Sequence, residues 1–352
     1  MAYTSIDNPE LFFQAKIYTG NDGTQSITLD GDENMQPDFV WIKARNYAIN
    51  HSLFDSVRGA TKELNSNANT AEETETDMLT AFGTDGFTLG SAGGVNNSSR
   101  NYTSWNWKMG TSFSNDASAT GVGSIDSSGS INTTAGQSII SWTGSGSGAT
   151  IAHGIGIQPQ IVFVKNRSDT ASWNIYTVDG GGGKGLFLNE GNGYDSDSTY
   201  FNNGTASTTT FPVGTANTAN GSSDNMIAYC FGNVQGYSKI GAYTGNGSTN
   251  GVFVYTGFKP AFLLTKCTSA TRNWQIRDNK INSFNVTESF LEGNGTVAEQ
   301  TDAGYSSVDL LSNGFKHRGV GGDTNVSGAD YIYMAFAESP FVNSNGIPNN
   351  AE

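Results

Sequence analysis

Three lysines hold the same place in three similar segments, which makes them the first candidates for a chemical role. Lys43, Lys165 and Lys266 each lie six residues after a proline and close a run of four or five apolar residues. A repeated lysine could contact a ligand. Because a lysine at a strand end can cover apolar surface with its stem while its ammonium group reaches water, we interpret all three as structural.

Two acidic turns have the composition of a calcium site. Asp30 and Asp32 lie in one turn, and Asp195 and Asp197 lie in another. Calcium takes carboxylate and carbonyl oxygens at alternate positions of a loop, so these four residues are the candidate ligands. Neither turn continues into the twelve-residue pattern that ends in glutamate. We therefore expect solvated turns and predict no cofactor.

Arrangements typical of catalysis or of zinc binding are not evident in the sequence. His51, His153 and His317 occur one per segment and at unequal positions, so the sequence indicates no zinc-binding group. No serine in a Gly-X-Ser-X-Gly motif is followed by a matching histidine and acidic partner. We therefore predict that the protein is not an enzyme.

The loops of the second and third segments have a composition suited to binding. Amides and hydroxyls match the hydroxyl groups of a sugar, and tyrosine rings cover its apolar faces. The candidate contacts are Tyr194, Tyr200, Asn202, Asn203 and Tyr305. The alternative is that these loops are solvated turns or contact a neighbouring subunit, because loops on a rigid scaffold serve all of these purposes.

The elements that must position these residues recur three times. Each lysine closes one of the segments Pro37–Lys43, Pro159–Lys165 and Pro260–Lys266, and the glycine of a Tyr/Trp-Thr-Gly turn lies 15 to 17 residues before each proline. An aromatic strand follows about 70 residues after each proline. Shared spacing at several points predicts three copies of a domain of about 100 residues.

Hydrophobic patterning predicts that the copies are all-β. Short apolar runs alternate with clusters of Gly, Asn, Ser and Thr, which is typical of strands joined by turns. The proline-led segments are apolar almost throughout, so we expect central strands with both faces covered. The residues expected to be buried on these strands are Phe39, Trp41, Ile161, Phe163, Phe262 and Leu264.

Composition narrows the range of partners. The 18 basic and 32 acidic residues give a net charge of −14, which disfavours binding to nucleic acid or to anionic lipid. No apolar run approaches the length of about 18 residues that a membrane span needs, so we expect no membrane insertion. Cys230 and Cys267 lie in different copies, and we expect two buried free thiols.

The copies resemble a domain that is repeated in virion proteins of tailed bacteriophages, marine ones in particular, which are often described as tail fibre or phage structural proteins. The first copy carries the resemblance in Tyr18–Gly20, Pro37–Arg45, Leu53–Gly59, Asp85–Gly90 and Tyr102–Lys108. The second carries it in Ala135–Gly144, His153–Gly156 and Pro159–Arg167. The match covers about residues 3–340 and departs from the pattern at Cys267 and Thr268, where the family pattern has an arginine.

This resemblance implies three tandem β-sandwich (jelly-roll) repeats of the concanavalin or laminin-G kind. The expected boundaries of the repeats are 1–112, 113–236 and 237–340, with a linker at 111–135 and an extended C-terminal arm at 341–352. The apolar side chains of Leu11–Phe13 suit the first repeat to docking on the virion. The other two repeats would then face outward.

The resemblance also implies a non-enzymatic virion structural protein, assembled in the host cytoplasm, that serves in a tail fibre or spike for host attachment. Its expected partners are other virion proteins, further copies of itself in a trimer, and a host cell-surface glycan. One alternative is a capsid decoration or head-fibre protein that stabilises the particle, which the lack of coiled-coil heptads favours over a long fibre. A further alternative is a polysaccharide-binding or depolymerase module.

Overall fold

The computed structural model describes residues 3–348, and nearly all of its regular structure is β-strand. Strands account for 43% and helices for 5%, which confirms the predicted all-β class. The short helices are a 3₁₀ turn at Pro9–Leu11 and the single turns α1 (Gly93–Asn96), α2 (Ala117–Thr120), α3 (Ser198–Phe201) and α4 (Asn217–Asn220). No helix among the described residues has the length and apolar character needed to cross a membrane.

The first unit consists of a four-stranded main sheet and a smaller second sheet. Its strands are β1 (Phe13–Thr19), β2 (Gln25–Thr28), β3 (Phe39–Ala44), β4 (Ser52–Asp55), β5 (Lys62–Glu63), β6 (Glu73–Thr74), β7 (Leu79–Gly83), β8 (Gly86–Leu89) and β9 (Asn101–Trp107). The main sheet has the strand order β1-β9-β3-β4 and the second sheet the order β2-β8-β7, while β5 and β6 form a separate ribbon.

The second unit has an eight-stranded main sheet and a two-stranded second sheet. Its strands are β10 (Thr111–Asn115), β11 (Ser127–Asn132), β12 (Gln137–Thr143), β13 (Ala149–Ala152), β14 (Pro159–Asn166), β15 (Asn174–Thr177), β16 (Lys184–Phe187), β17 (Asp195–Ser196), β18 (Thr210–Val213) and β19 (Asn225–Gly232). The main sheet has the order β10-β11-β12-β19-β14-β15-β16-β17, and β13 pairs with β18.

The third unit has a six-stranded main sheet and a three-stranded second sheet. Its strands are β20 (Ser238–Thr244), β21 (Phe253–Tyr255), β22 (Phe258–Cys267), β23 (Gln275–Asp278), β24 (Ser289–Glu292), β25 (Gln300–Thr301), β26 (Val308–Leu311), β27 (Gly314–His317) and β28 (Asp330–Pro340). The main sheet has the order β20-β28-β22-β23-β24-β25 and the second sheet the order β21-β27-β26.

The three main sheets share one strand order around the proline-led strand. The aromatic strand predicted to end each copy lies between the first long strand and the proline-led strand: β9 between β1 and β3, β19 between β12 and β14, and β28 between β20 and β22. All of these ladders are antiparallel. The repeated spacing in the sequence therefore corresponds to a repeated arrangement of strands.

The proline-led strands β3, β14 and β22 are buried on both faces, as predicted. In β3, Val40 and Ile42 face a small core between the first unit's own two sheets. Phe39 and Trp41, on the opposite face of the strand, belong to a different and larger core. All six residues that were predicted to be buried on these strands are buried.

One apolar core joins the three units. It contains buried residues of all three main sheets, and aromatic rings from different units are in contact within it. Ring centroids are 4.4 Å apart for Phe39 and Tyr229, 5.3 Å for Phe13 and Phe336, and 5.6 Å for Phe231 and Phe336. The units are therefore not separate tandem sandwiches, because each main sheet packs one of its faces against the other two units.

The segment 111–135 is not a linker, contrary to the expectation. It contains strands β10 and β11, which extend the main sheet of the second unit at its edge. Phe113 and Ile131 from these strands pack, half-buried, against the second unit's own core. Few apolar residues mark these strands in the sequence, because backbone hydrogen bonds between β10 and β11 and between β11 and β12 supply the pairing.

Both ends of the described chain fold onto the body. Phe13 is buried in the common core, and the ring of Phe12 packs edge-on against Tyr237 at 5.8 Å. Phe13 is therefore not available for docking, whereas Leu11 and Phe12 are half-buried, and the docking role of the first repeat stays a prediction. At the other end, the backbone N–H of Ser344 donates to Asp7 at 2.7 Å, so the described part of the predicted arm lies against the body. Residues 349–352 of that arm lie outside the described residues.

The three repeated lysines are buried, so the prediction that they reach water is wrong. Lys43, Lys165 and Lys266 are at most 1% exposed. Each ammonium group donates to at least one carbonyl of its own unit and to one carbonyl of a neighbouring unit, so protein groups take the place of water at the strand end. The neighbouring carbonyl is that of Thr296 for Lys43 (3.1 Å), of Asn69 for Lys165 (3.4 Å) and of Gly191 for Lys266 (2.7 Å). Burial lowers the pKa of each lysine to about 8.

A second set of hydrogen bonds between units follows the same cyclic order. Ring N–H groups donate to backbone carbonyls, from Trp173 to Asn65 (2.8 Å), from Trp274 to Phe187 (2.9 Å) and from His51 to Glu292 (2.9 Å). Nδ1 of His51 accepts from Trp41 at 2.8 Å, so His51 donates through Nε2. In both sets the first unit bonds to the third, the second to the first and the third to the second.

The second unit should not fold alone. A fragment of residues 111–236, which keeps all of β10, would expose to water the face that carries Phe163, Trp173, Tyr229 and Phe231. Each large apolar side chain would lose about 1.5–3 kcal/mol of burial free energy. We expect this fragment to give no cooperative thermal transition by circular dichroism, whereas the full chain gives one. A monomeric fragment with a sharp transition would show that the common core is dispensable.

Replacing Lys165 by methionine tests the bonds between units. Lys165→Met preserves the length of the side chain but leaves the buried carbonyls of Asn69, Asn166 and Ala171 without this donor. We expect the free energy of unfolding, measured in urea, to fall by about 2–4 kcal/mol. The control is Lys16→Met, which removes a lysine paired with the exposed Asp30 and should cost less than about 1 kcal/mol. Equal losses in the two variants would contradict a special role of Lys165.

Candidate functional site

Two of the three boundaries between units are closed by an arginine–glutamate pair. At the first, Arg45 of the first unit donates to Glu299 of the third through Nε (2.6 Å) and Nη2 (3.3 Å). At the second, Arg167 of the second unit donates to Glu72 of the first through Nε (2.8 Å) and Nη2 (3.1 Å). Both arginines lie two residues after a repeated lysine, and both pairs have the bidentate geometry that strengthens such bonds.

The third boundary lacks both partners of this pair. The backbone N–H of Glu299 donates to the carbonyl of Arg45 at 2.6 Å, and the corresponding bond here runs from Tyr194 to Thr268 at 2.8 Å. Thr268 therefore holds the arginine position and Tyr194 the glutamate position. Thr268 of the third unit departs from the family pattern, and the second unit, which it contacts, has Tyr194 in place of the glutamate.

A second bond between units is missing at the same boundary. The carboxylate of Asp55 accepts from the Tyr229 hydroxyl at 2.6 Å, and the corresponding Asp278 accepts from Nε1 of Trp105 at 2.8 Å. Strand register places Thr177 and Met334 at the equivalent positions of the third boundary. Met334 has no donor for such a bond. The contact between the second and third units therefore has neither the arginine–glutamate pair nor this hydrogen bond to an aspartate.

A polar cleft of about 640 Å³ opens at this boundary. Its walls come from the second and third units, and they combine two carboxylates, one lysine, two tyrosines and several hydroxyls. The lining residues are Asp179, Lys184, Tyr194, Ser196, Ala242, Tyr243, Thr244, Thr268, Ser269 and Asp330. The cleft therefore lies at the boundary where, within residues 3–348, no arginine–glutamate pair is found.

Tyr194 is held in a fixed orientation at the wall of the cleft. Its hydroxyl lies 2.6 Å from Oγ1 of Thr177 and donates to Oδ2 of Asp179 at 3.3 Å. Nζ of Lys184 lies 5.4 Å from the centroid of its ring. Burial raises the pKa of the Tyr194 hydroxyl far above its ordinary value, so the phenol stays neutral at physiological pH.

The other wall of the cleft is built by the third unit. The carboxylate of Asp330 accepts from the hydroxyl of Thr244 at 2.9 Å, across the first pair of strands of that sheet. The hydroxyl of Ser269 accepts from the backbone N–H of Asp330 at 3.0 Å. Asp330, Thr244 and Ser269 are exposed, so their oxygen atoms are available to a ligand. This arrangement can accept and donate hydrogen bonds on both sides of a bound molecule.

The remaining candidate contacts do not line this cleft. Tyr200 donates to Asp195 at 2.6 Å and packs on Phe187, while Asn202 and Asn203 follow α3 with positive φ and are exposed. Left-handed backbone of this kind is common for asparagine in turns. Tyr305 is 49% exposed on the third unit and is not one of the lining residues. Of the five predicted contacts, the structure brings only Tyr194 into the cleft.

Three of the four candidate calcium ligands, Asp30, Asp195 and Asp197, have ordinary protein partners for their carboxylates. Asp30 pairs with Lys16, Asp195 accepts from Tyr200, and Asp197 accepts from the backbone N–H of Thr199 at the start of α3. The N–H of Asp32 donates to Glu10 at 3.4 Å. Among the described residues, three other acidic side chains lie close together. Carboxylate oxygens of Glu63, Glu73 and Glu75 are within 4.8 Å of one another. Burial raises the pKa of Glu63 to about 7, which lessens the repulsion in this group.

The two cysteines agree with the prediction. Cys230 and Cys267 are both buried and neither forms a disulfide. Burial raises the pKa of the Cys230 thiol to about 12, which removes it as a nucleophile at physiological pH.

Sequence reasoning missed most of the cleft residues. Lys184, Thr268 and Asp330 lie in different parts of the chain, and no local motif joins them. A signal was available, because Thr268 breaks the family pattern at a position where the other two copies have arginine. The glutamates that pair with those two arginines could not be identified from the sequence, since they lie in other copies and in loops whose spacing differs.

Restoring the missing ion pair tests whether its loss opened this boundary. The double variant Thr268→Arg, Tyr194→Glu places at the third boundary the residues found at the other two. We expect a favourable coupling of about 1 kcal/mol between the two changes in a double-mutant cycle of unfolding free energies. A coupling near zero would mean that the backbone at this boundary does not permit the pair.

Comparison with known proteins places nearly all of the chain in one family. The family described as "Domain of unknown function (DUF7483)" matches residues 8–340, which include all three units. A search of curated proteins found no match to the chain.

Proposed function

We propose that this chain, which belongs to the DUF7483 domain family, is a non-enzymatic structural protein of a tailed-bacteriophage virion and takes part in host attachment. The resemblance of its copies to domains of virion proteins supports this proposal. The proposal includes the finer points that each unit is a jelly-roll sandwich of the concanavalin or laminin-G kind and that the chain assembles with other virion proteins.

The observation that carries the proposal is the open cleft between the second and third units. A chain that closes two boundaries with ion pairs and leaves the third open and polar has a place for a ligand. We propose that the ligand is a saccharide of the host cell surface. Asp179 and Asp330 accept bonds from its hydroxyls, Lys184 donates to its oxygens, and the ring of Tyr194 covers an apolar sugar face.

The charges of the cleft favour a neutral saccharide. The lining has two carboxylates and one ammonium group, and the whole chain has a net charge of −14. The excess negative charge of the cleft and the net negative charge of the chain would both repel an acidic polymer. The binding energy must then come from hydrogen bonds and ring contacts, which together suit a weak, multivalent attachment on a particle that carries many copies.

Binding is a better assignment for the cleft than hydrolysis. A glycosidase needs one carboxylic acid that is protonated at working pH, which burial in an apolar pocket provides. Asp179 and Asp330 are both exposed, and each accepts a hydrogen bond from a neighbouring hydroxyl. Neither residue has the apolar enclosure that a glycosidase acid needs, and both are placed to accept hydrogen bonds from a ligand.

A capsid decoration or head-fibre role is the second candidate, and one observation favours it. The three units already form a closed threefold-like body within one chain, held by cyclic bonds, and such a compact knob suits a site on a particle surface. The predicted trimer stays a prediction. Imaging of labelled protein on intact particles separates a head position from a tail position.

Two cleft variants test the attachment role. Lys184→Ala removes the ammonium group of the cleft, and Thr268→Arg fills the cleft with a long side chain. We expect particles that carry either variant to incorporate the protein normally and to adsorb to host cells about tenfold less, the effect of losing about 1.4 kcal/mol of binding energy. Adsorption assays and gel analysis of purified particles measure the two quantities.

The matched control is Lys316→Ala, a lysine of the third unit that bonds to Asn250 outside the cleft. It should leave adsorption unchanged. Normal adsorption with both cleft variants would refute the cleft as the attachment site. Loss of incorporation with normal adsorption of the remaining particles would favour the decoration role.

A further inference from the structure

The interior of the third unit is polar at positions where the first two units are apolar. Four such positions face the space between the main sheet and the second sheet. Thr265 corresponds to Ile42 and Val164, Arg277 to Phe54 and Tyr176, His317 to Leu89 and Val213, and Thr324 to Val95 and Ala219. Strand register supports these correspondences, since Arg277 lies opposite Leu263 as Phe54 lies opposite Val40. The third sandwich has therefore changed its interior at four positions together.

These four side chains are enclosed, and most of their polar atoms have no protein partner. Thr265, Arg277, His317 and Thr324 are at most 1% exposed. Among the described residues, no hydrogen-bond partner exists for Nε and Nη1 of Arg277, for either ring nitrogen of His317, or for the hydroxyls of Thr265 and Thr324. Native interiors seldom leave so many polar atoms together without partners. A common partner for all of them is the simplest explanation.

Arg277 is the centre of this group because it carries a charge. Its Nη2 donates to the carbonyl of Ser306, and its Cζ lies 5.2 Å from the ring of Phe290. No carboxylate pairs with it among the described residues. The chain shows elsewhere how a buried arginine is compensated, since Arg58 pairs with the equally buried Asp55. An uncompensated charge in an apolar interior costs several kcal/mol, so Arg277 requires a counter-charge.

The atoms around Arg277 select the sign of that counter-charge. The guanidinium N–H groups, the two threonine hydroxyls and one ring nitrogen of His317 are all able to donate. Asp323 and Asp302 act on the charge of Arg277 but form no ion pair with it. The carboxylate of Asp323 already accepts from the backbone N–H of Asn273 (3.0 Å) and from Nε2 of Gln275 (3.1 Å). Oε1 of Gln275, opposite Thr265, is an acceptor that also has no partner, but the groups able to donate outnumber it and surround a cation. Such a group is complementary to an anion.

The walls of the space limit the size of the anion. Leu263, Phe315 and the stacked rings of Tyr243 and Tyr331 surround the group, and all of them are buried. The ring of Tyr243 also lies 5.0 Å from that of His317. Because these walls are large, buried side chains, a partner that fits among them must be a small ion and not an organic ligand.

We propose that the third unit encloses a small inorganic monoanion of chloride size, bound by Nε and Nη1 of Arg277 and by the hydroxyls of Thr265 and Thr324, beside His317. The anion is part of the folded interior and is separate from the cleft and its proposed saccharide. It stabilises the interior of the third unit, as packing of apolar side chains stabilises the interiors of the first and second units.

The first test measures the thermal unfolding midpoint of the whole chain in chloride and in gluconate, which is too large to enter. At constant ionic strength, raising chloride from about 1 mM to about 100 mM should raise the midpoint by about 3 °C or more, because a ligand that binds only the folded state stabilises it. A fourfold variant with the residues of the first unit, Thr265→Ile, Arg277→Phe, His317→Leu and Thr324→Val, should lose this dependence. The control Lys16→Met, which removes a surface cation, should retain it.

The second test does not depend on any variant folding. Crystals of the unmodified protein grown with bromide should give an anomalous scattering peak within hydrogen-bonding distance of Nε and Nη1 of Arg277. A midpoint that is independent of chloride would overturn the proposal, as would a site that shows water density and no bromide peak.

Discussion

The common apolar core is the constraint on which the rest of the structure depends. Each main sheet has one face for its own second sheet and one face that only the other two units can cover. Burying that face brings the ends of β3, β14 and β22 against neighbouring units. Lys43, Lys165 and Lys266 then cannot reach water, and backbone carbonyls become their partners because an unsatisfied ammonium group in an apolar interior is costly.

With the core holding the units together, the boundaries between them can differ. Arg45 and Arg167 close two boundaries with a glutamate of the neighbouring unit, whereas Thr268 and Tyr194 leave the third open. The change is tolerated because both partners are replaced, and no charge is left unpaired at a half-buried position. Stability therefore comes from the shared core and the cyclic bonds, and one boundary is available for a ligand.

The interior of the third unit follows the same physical rule. A single buried arginine at the position of Phe54 would be destabilising on its own. Arg277 occurs together with Thr265, His317 and Thr324, so the polar residues form a group that one small anion can satisfy. The three units thus share a backbone arrangement, and they differ at groups of residues that lie together and are changed together.

The sequence by itself determined the central strands and the burial of their apolar residues. Repetition located β3, β14 and β22, and the alternation of apolar residues assigned Phe39 and Trp41 to the interior, because both signals are local. Tertiary structure alone decided what those residues meet, and it turned the supposed linker into β10 and β11. It also decided the surroundings of Lys43 and the pairing of Thr268 with Tyr194. The physical reason is that these partners lie in other units, where packing of whole sheets, and not spacing along the chain, sets the contacts.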